Sequence, residues 1–219
     1  MSVQPFKNPP RDCPLCPRLV AFREDARAAN PDWWNSPVPS LGPIDAPLLV
    51  LGLAPGMGGA NRTGRPFTGD WAGDLLYKIL VEEDLAVGEY DRRPDDSLKL
   101  TRCRIANAVR CVPPQNKPIG QEMNTCREFL VAELDAMTEL RAIFTLGRIA
   151  HEAALRVLGV KPSGIKFAHD AVHDVGALGG RNIQVVNSYH CSRYNTNTGR
   201  LTEEMFRTAV RTAKRAADL

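Results

Sequence analysis

The feature that most constrains the fold is a short, uninterrupted apolar run, PLLVLGL, at Pro47–Leu53. A strand with one face in water alternates apolar and polar residues, whereas this run offers apolar side chains to both faces. It is therefore typical of a strand inside a sheet that is covered on both sides. Three further segments favour strands: Arg104–Val109, Arg141–Leu146 and Asn182–Ser188.

Helical segments precede, separate and follow these strands. They are predicted at Leu19–Ala29, Asp70–Asp84, Gly120–Leu140, Arg148–Leu158 and Thr202–Ala217. Strands that alternate with helices indicate an α/β fold with a short, mostly parallel four-stranded sheet and helices on both faces. The chain has 219 residues, 43% of them hydrophobic, which is enough to bury a core as a single domain over residues 1–219.

Polar or glycine-rich segments follow three of the four predicted strands. Gly52–Asp70 follows the first strand, Arg110–Pro118 the second and His190–Asn195 the fourth. Parallel sheets bind their ligands at the carboxyl ends of the strands. We therefore expect these three segments to converge at one edge of the sheet and to form the functional site there.

The composition only partly indicates which molecules the protein binds and in which cellular compartment it lies. The net charge of +3 neither establishes nor excludes a nucleic-acid partner, because a local charged patch matters more than the total. The sequence contains no apolar run of about 18 residues, the length of a membrane span. Residues Met1–Lys7 have no hydrophobic signal region. We expect a cytoplasmic protein with no membrane partner, in which thiols are mostly reduced.

The cysteine pattern indicates a metal centre. Cys13 and Cys16 form a C-x2-C pair, and Cys111 and Cys126 form a second, more widely spaced pair. Four thiolates suffice for a [4Fe–4S] cluster or a structural zinc, and the spacing alone does not separate the two. The alternative is that these cysteines are small, buried hydrophobic residues. The other two cysteines have no matching neighbour, so we do not expect them to be ligands.

The glycine-rich segment GLAPGMGGANRTGRPFTGD lets the backbone approach a ligand closely. It is not a P-loop, because Arg65-Pro66 follows where Lys-Ser/Thr is required, and it lacks the Rossmann spacing. Nucleotide cofactors are therefore disfavoured. Asp70 precedes a predicted helix and is either an N-cap or a functional carboxylate. Phe67 is either a core or a ligand-contacting aromatic, and Arg62 and Arg65 are either solvent-exposed or phosphate contacts.

The segment NSYHCSRYN ends the fourth predicted strand. His190 lies at the carboxyl edge, where a lone histidine is either structural or catalytic. Arg193, Tyr194 and Asn195 suit contacts to DNA phosphates or the filling of a gap in a base stack. Elsewhere, His169 and His173 are four residues apart without an evident third metal ligand, and we expect both in a loop.

Together these motifs resemble the uracil-DNA glycosylase superfamily, and within it family 5. The segment GLAPGMGGANRTGRPFTGD is similar to the active-site loop of that family, and HCSRYNTNTGRLT is similar to its DNA-inserting loop. The motifs RCVPPQNKP and DCPLCPRLV fit as well. Family 4 enzymes usually carry Glu after the first glycine of the loop, whereas this chain has Leu53. The resemblance runs from Cys13 to about the C-terminal helix.

The resemblance implies a three-layer α/β/α sandwich in which Cys13, Cys16, Cys111 and Cys126 hold a [4Fe–4S] cluster. It implies a DNA-repair enzyme that flips uracil out of DNA, cleaves the N-glycosidic bond and leaves an abasic site. The implied substrates are uracil and, more broadly, hypoxanthine, 5-hydroxymethyluracil and ethenocytosine, in double- or single-stranded DNA. We expect a monomer without lyase activity.

The implied site residues fall into three groups. The catalytic residues are Asp70, which positions water, His190, which stabilises the leaving base, and Asn116. The substrate-binding residues are Gly52, Leu53, Ala54, Phe67 and Asn107. The DNA-binding residues are Arg62, Arg65, Ser192, Arg193, Tyr194 and Asn195.

The chain departs from the family pattern at Met57, at Cys191, where Pro or a small apolar residue is common, and at Tyr194, where Gln is usual. Tyr194 puts the usual insertion contact in doubt and favours stacking over hydrogen bonding. The main alternative is a non-catalytic iron–sulfur protein that binds damaged DNA. A phosphate- or nucleotide-handling enzyme is disfavoured, because the lysine–serine/threonine pair of a P-loop is missing.

Overall fold

The computed structural model describes residues 6–219. The expectation that Met1–Lys7 contain no signal region therefore falls largely outside the described residues. Within this range the chain forms strands of two to eight residues. They are β1 Leu48–Gly52, β2 Ala86–Val87, β3 Lys99–Leu100, β4 Cys103–Asn107, β5 Ala142–Leu146, β6 Val172–Leu178 and β7 Arg181–Ser188. The strand order of the central sheet is β4-β1-β5-β7-β6, and β2 and β3 pair separately.

The α-helices alternate with these strands. They are α1 Pro17–Ala29, α2 Ala60–Thr63, α3 Trp71–Glu82, α4 Gly120–Ala136, α5 Arg148–Val157, α6 Arg193–Asn197 and α7 Glu203–Ala216. Short 3-10 turns lie at Pro114–Asn116 and Pro162–Gly164. Across residues 6–219, none of the helices is both long enough and apolar enough for a membrane crossing.

The apolar run of β1 is buried on both faces, which explains its lack of alternation. Leu48 and Val50 belong to one hydrophobic core, together with residues of α3 and α7. Leu49 and Leu51 belong to a second core on the opposite face, together with residues of α4 and α5. Burial of apolar area contributes roughly 25 cal/mol per Å². Each face of the sheet is therefore stabilised by its own layer of helices.

The prediction of four strands is wrong, because the central sheet has five. The four predicted strands are present and pair in parallel, whereas β6 pairs antiparallel with β7 at the edge of the sheet. His173, expected in a loop, lies in β6. This strand is only half covered, so it lacks the apolar run that identifies the others. The available signal was Gly179–Gly180, a two-residue hairpin turn in which both residues have positive φ.

A buried ion triad joins β4 to α4. Glu133 is 0% exposed, and its carboxylate accepts hydrogen bonds from Arg104 Nε, at 2.6 Å, and from Arg110. Burial alone would raise the pKa of Glu133, but the charges of Arg110 and Arg104 outweigh that effect and lower the pKa. The triad therefore holds one edge of the sheet against α4 with its charges balanced.

We expect Glu133→Gln to lower the free energy of unfolding by about 3–5 kcal/mol, because it leaves two buried guanidinium groups without their counter-charge. Urea denaturation measures this change. Glu128→Gln is the matched control, since Glu128 lies on the same helix but is exposed. Its effect is expected to stay below about 0.5 kcal/mol. Equal effects of the two substitutions would contradict the role given to the triad.

Candidate active site

A cavity of about 360 Å³ opens at the carboxyl edge of the sheet, a size typical of small-molecule sites. The loops after β1, β4 and β7 meet there, as the positions of the polar motifs predict. Of the residues singled out in the sequence, those that line this cavity are Leu53, Ala54, Phe67, Asp70, Asn107, Asn116, His190, Ser192 and Arg193.

Asp70 is both the N-cap of α3 and part of the cavity wall. Its carboxylate accepts a hydrogen bond from the backbone N–H of Gly73 at 3.2 Å. Burial raises the pKa of Asp70, although the backbone N–H groups of Gly73 and Ala72 act in the opposite direction. A Cβ at Gly59 would lie 2.4 Å from Asp70 Oδ2, so the loop passes over the carboxylate where only glycine fits. The two interpretations of Asp70 are thus compatible.

His190 follows β7 and faces the same cavity. Burial lowers its pKa to about 4, so the imidazole is neutral at neutral pH. The ring centroid lies 6.1 Å from that of Phe67. The Asn195 side-chain amide donates a hydrogen bond to the His190 carbonyl at 2.8 Å, which fixes the backbone of the histidine. Asn195, singled out in the sequence for DNA binding, thus also has a contact within the protein.

The floor of the cavity combines an aromatic ring with a buried amide. Asn107 ends β4 and is 3% exposed, and its Oδ1 atom has no hydrogen-bond partner among the described residues. Phe67 is 7% exposed and has a φ of +52°. A Cβ at Gly52 would lie 2.4 Å from Asn107 Oδ1 and 2.7 Å from Phe67 Cζ. Gly52 therefore does not line the cavity but permits the close approach of both side chains.

The rim of the cavity carries exposed cationic and aromatic groups. Ser192 caps α6 by accepting a hydrogen bond from the Asn195 backbone N–H. Arg193 is exposed and stacks on Trp71, with its guanidinium carbon 5.5 Å from the ring centroid. Tyr194 is 72% exposed. Sequence reasoning missed Trp71, because a residue just after a helix cap gives no local signal for a rim position.

The structure contradicts the prediction that Arg65 contacts DNA. Arg65 is 6% exposed, and its guanidinium donates two hydrogen bonds to the Asp96 carboxylate, at 2.7 and 2.8 Å. It also lies over the rings of Tyr77 and Tyr90. All of these partners lie outside the motif, so the motif alone could not reveal that Arg65 is a buried structural residue. Arg62 stays exposed, on a neighbouring surface rather than in the cavity.

A second groove, of about 750 Å³, shares His190 with the cavity and also includes Asn195. Its wall includes Lys166 and Arg200, neither of which forms an ion pair within residues 6–219. Arg200 lies over the Tyr189 ring at 4.6 Å. Arg200 belongs to the segment HCSRYNTNTGRLT but was not among the residues singled out there, and Lys166 lies in none of the motifs. The groove extends the rim with further positive charge.

The four singled-out cysteines line one small cavity beneath the active-site loops. They are Cys13, Cys16, Cys111 and Cys126, and all have free thiols. Cys103 and Cys191 instead lie in the hydrophobic core beside the sheet. Ala54 packs against the hydrophobic cluster of Leu19, Val109 and Cys126 and also lines the active-site cavity. In residues 6–219, no three His, Cys, Asp or Glu side chains lie close enough together to surround a single metal ion as they stand, although the four thiols line the same cavity.

An arginine beside these thiols lacks a counter-charge. Arg23 is 3% exposed, its Nη1 atom lies 4.0 Å from Cys111 Sγ, and its Nη2 atom donates to the Cys13 carbonyl at 3.2 Å. Its Nε atom has no partner in the described chain, and no carboxylate there forms an ion pair with Arg23. A buried cation normally requires a nearby anion. The surroundings of the thiols therefore suit a negatively charged group.

Comparison with known proteins agrees with this site. A model of the uracil DNA glycosylase superfamily matches residues 39–214. A type-5 uracil-DNA glycosylase of Thermus thermophilus is 45% identical over 224 residues, covering 100% of both chains. One of Mycobacterium tuberculosis is 40% identical, covering 94% of this chain and 79% of the relative. One of Pyrobaculum aerophilum is 39% identical, covering 97% and 92%.

The match spans most of the chain, and it includes every segment that forms the cavity. The chain therefore belongs to the uracil DNA glycosylase superfamily, among the relatives of its type-5 members.

Proposed function

We propose that the protein is a monofunctional glycosylase that removes uracil from DNA by hydrolysis and leaves an abasic site. The observation that carries this proposal is the shared cavity of Asp70, His190 and Asn107, which combines a carboxylate, a neutral imidazole and an unpaired amide oxygen. In the reaction, water adds to C1′ of the sugar as the bond to the base breaks, and the base leaves with one proton. The family and the type-5 relatives support this activity.

Asn107 and Phe67 are suited to recognise the flipped base. The Asn107 side chain offers an acceptor and donors, which match the N3–H and O4 atoms of uracil. Its unpaired Oδ1 would accept the N3–H group, which removes the cost of leaving a buried oxygen unsatisfied. The Phe67 ring would stack on the base. Leu53 and Ala54 would line the same pocket, and Gly52 would allow its close packing.

Asp70 and His190 would stabilise the two opposite charges that develop in the transition state. The ionised carboxylate would position water and stabilise the positive charge that develops on the sugar. The neutral His190 would donate a hydrogen bond to uracil O2 and stabilise the departing anion. Asn116, exposed in the turn after β4, would assist from the mouth of the cavity.

We expect Asp70→Asn to reduce turnover roughly 100-fold or more, the size of a general acid–base contribution. The measurement is single-turnover cleavage of a uracil-containing oligonucleotide, followed by alkali and gel analysis. DNA affinity should remain, since asparagine can still cap α3. Asp74→Asn is the matched control, because Asp74 lies one turn along α3 and pairs with Arg92 on the surface.

One outcome would contradict the glycosylase activity, and another would contradict only the catalytic role of Asp70. Intact strands after incubation with folded wild-type protein that binds the DNA would favour a non-catalytic protein that recognises damaged DNA. Full activity of Asp70→Asn would instead retain the glycosylase and remove Asp70 from its catalytic role.

The pH dependence of cleavage follows from the shifted pKa values of Asp70 and His190. Asp70 works ionised and its pKa is raised, so the rate should fall on acidification at a higher pH than for an ordinary aspartate. His190 is already neutral above about pH 4, so it should add no inflection between pH 6 and 8. The test is a single-turnover pH profile of wild type and His190→Asn, which should be parallel in that range. An inflection near pH 6.5 present only in wild type would contradict the neutral role of His190.

The proposed substrates extend to hypoxanthine, 5-hydroxymethyluracil and ethenocytosine, in double- or single-stranded DNA. The size and open mouth of the cavity support this breadth, which a cleavage panel with each modified base would measure. Arg193, Ser192 and Tyr194 on the rim would contact the DNA near the flipped nucleotide, and exposed Arg62 would contact it farther away. Lys166 and Arg200 of the second groove would add phosphate contacts.

We infer further that Cys13, Cys16, Cys111 and Cys126 hold a [4Fe–4S] cluster. Support comes from their shared cavity and from buried Arg23, whose charge a thiolate-ligated cluster would balance. Burial raises the pKa of the Cys111 thiol to about 12, so coordination would supply the deprotonated form. The cluster would cross-link three remote segments of the chain beneath the active-site loops.

We expect the purified protein to be brown, with iron and acid-labile sulfide in equal amounts. Cys111→Ala should lose the colour and lower the unfolding temperature, because the cross-link is lost. Cys103→Ala is the control and should keep the colour, since Cys103 is the first residue of β4 and packs in the hydrophobic core, away from the other four cysteines. Visible absorption, metal analysis and thermal unfolding measure these outcomes. A colourless wild-type protein with stoichiometric zinc would overturn the iron–sulfur assignment.

A further inference from the structure

We propose that Trp71 positions the DNA-inserting helix α6 and holds Arg193 ready for a DNA phosphate. This inference rests on the proposed function. Trp71 and Tyr194 are the exposed large aromatic residues of the described chain, at 46% and 72%, and both belong to the rim of the active-site cavity or to the helix beside it. Exposed aromatic rings at such a site are suited to contact nucleic acid.

Two contacts join the Trp71 indole to α6. Its Nε1–H group donates a hydrogen bond to Thr196 Oγ1 at 3.0 Å, across 125 residues of sequence. The Arg193 guanidinium lies over the indole ring, with its carbon atom 5.5 Å from the ring centroid. Arg193 forms no ion pair with any carboxylate of residues 6–219, so its donors remain available for an anion. A guanidinium that is already held over a ring loses less freedom when it binds a phosphate.

The helix that Trp71 contacts is too short to be stable alone. α6 has five residues, and isolated helices of that length do not form in water. Its own hydrogen bonds link it to the segment before it. Thr196 Oγ1 donates to the Ser192 carbonyl at 3.3 Å, and Asn195 donates to the His190 carbonyl at 2.8 Å. These contacts build a unit from His190 to Asn197 that still needs attachment to the rest of the fold.

The attachment reaches the start of α3, where the proposed catalytic carboxylate lies. Cys191 Sγ donates to the Ala72 carbonyl at 3.4 Å, and Trp71 supplies the two contacts above. Trp71 directly follows Asp70, which caps the same helix. Tyr194, which would fill the gap in the base stack, lies on α6, and Asp70 caps α3, so the contacts between α6 and α3 fix their relative positions. Trp71 would thus couple the insertion of Tyr194 into the stack to the placement of water at the sugar.

Hydrogen exchange of residues 190–201 tests the attachment without requiring activity. Trp71→Ala should speed the exchange of the α6 amides roughly tenfold, because a stacked cation and a hydrogen bond are both lost. Thr196→Val removes the acceptor of the indole together with the hydrogen bond to the Ser192 carbonyl, but it leaves Arg193 over the ring, so it should give a smaller increase. Thr196→Ser keeps the hydroxyl and should match wild type. Unchanged exchange in Trp71→Ala, or equal exchange in the Thr196→Val and Thr196→Ser variants, would overturn the proposal.

Cleavage of duplex and single-stranded uracil DNA tests the consequence. Only the duplex has a base stack whose gap must be filled, so Trp71→Ala should lower the duplex rate roughly tenfold more than the single-strand rate. Trp71→Phe keeps the ring under Arg193 and should recover part of the loss. Equal losses on both substrates would refute the positioning role. An inert wild type would refute the proposed function instead, while the exchange result would still decide the attachment.

Discussion

The parallel pairing of β1 with β4 and β5 is the interaction on which the rest of the structure depends. β1 lies between these two neighbours and is buried on both faces, so its position and direction are fixed from four sides. Parallel strands end at the same edge of a sheet. The glycine-rich segment after β1 and the amide of Asn107 at the end of β4 therefore reach the same cavity. Without this pairing, residues far apart in the sequence would not meet.

Close backbone approach then gives the cavity its chemistry. Gly52 and Gly59 lie where a Cβ would strike Asn107 and Asp70, so glycine at these positions allows the side chains to pack against the loop. The packing shields the site from water, raises the pKa of Asp70 and lowers that of His190. The same desolvation thus makes the Asp70 carboxylate more basic and keeps the His190 imidazole neutral. Both effects suit a reaction in which opposite charges develop on the sugar and the base.

Charge is balanced differently on the two sides of the loop after β4. Arg110 pairs with the buried carboxylate of Glu133, whereas Arg23 lines the cavity of the four thiols, contacts Cys111 Sγ and forms no ion pair with a carboxylate of the described chain. A bound cluster with thiolate ligands would supply the missing negative charge. Because Ala54 packs against the hydrophobic cluster that contains Cys126 and also lines the active-site cavity, a bound iron–sulfur cluster would support the active-site loop from below.

The sequence by itself determined the four parallel strands, the main helices and the edge where Asp70 and His190 meet, because apolar runs and the alternation of strands with helices are local properties of the chain. Asn107 was singled out by the family resemblance, since the predicted second strand continues past it. It did not reveal β6, whose half-exposed residues lack such a pattern. Only the tertiary structure decided which partners individual side chains contact. Arg65 forms a buried ion pair with Asp96, 31 residues away, and Trp71 donates a hydrogen bond to Thr196, 125 residues away. Ion pairs and stacking contacts depend on which distant partner the packing brings near, and no local pattern encodes that choice.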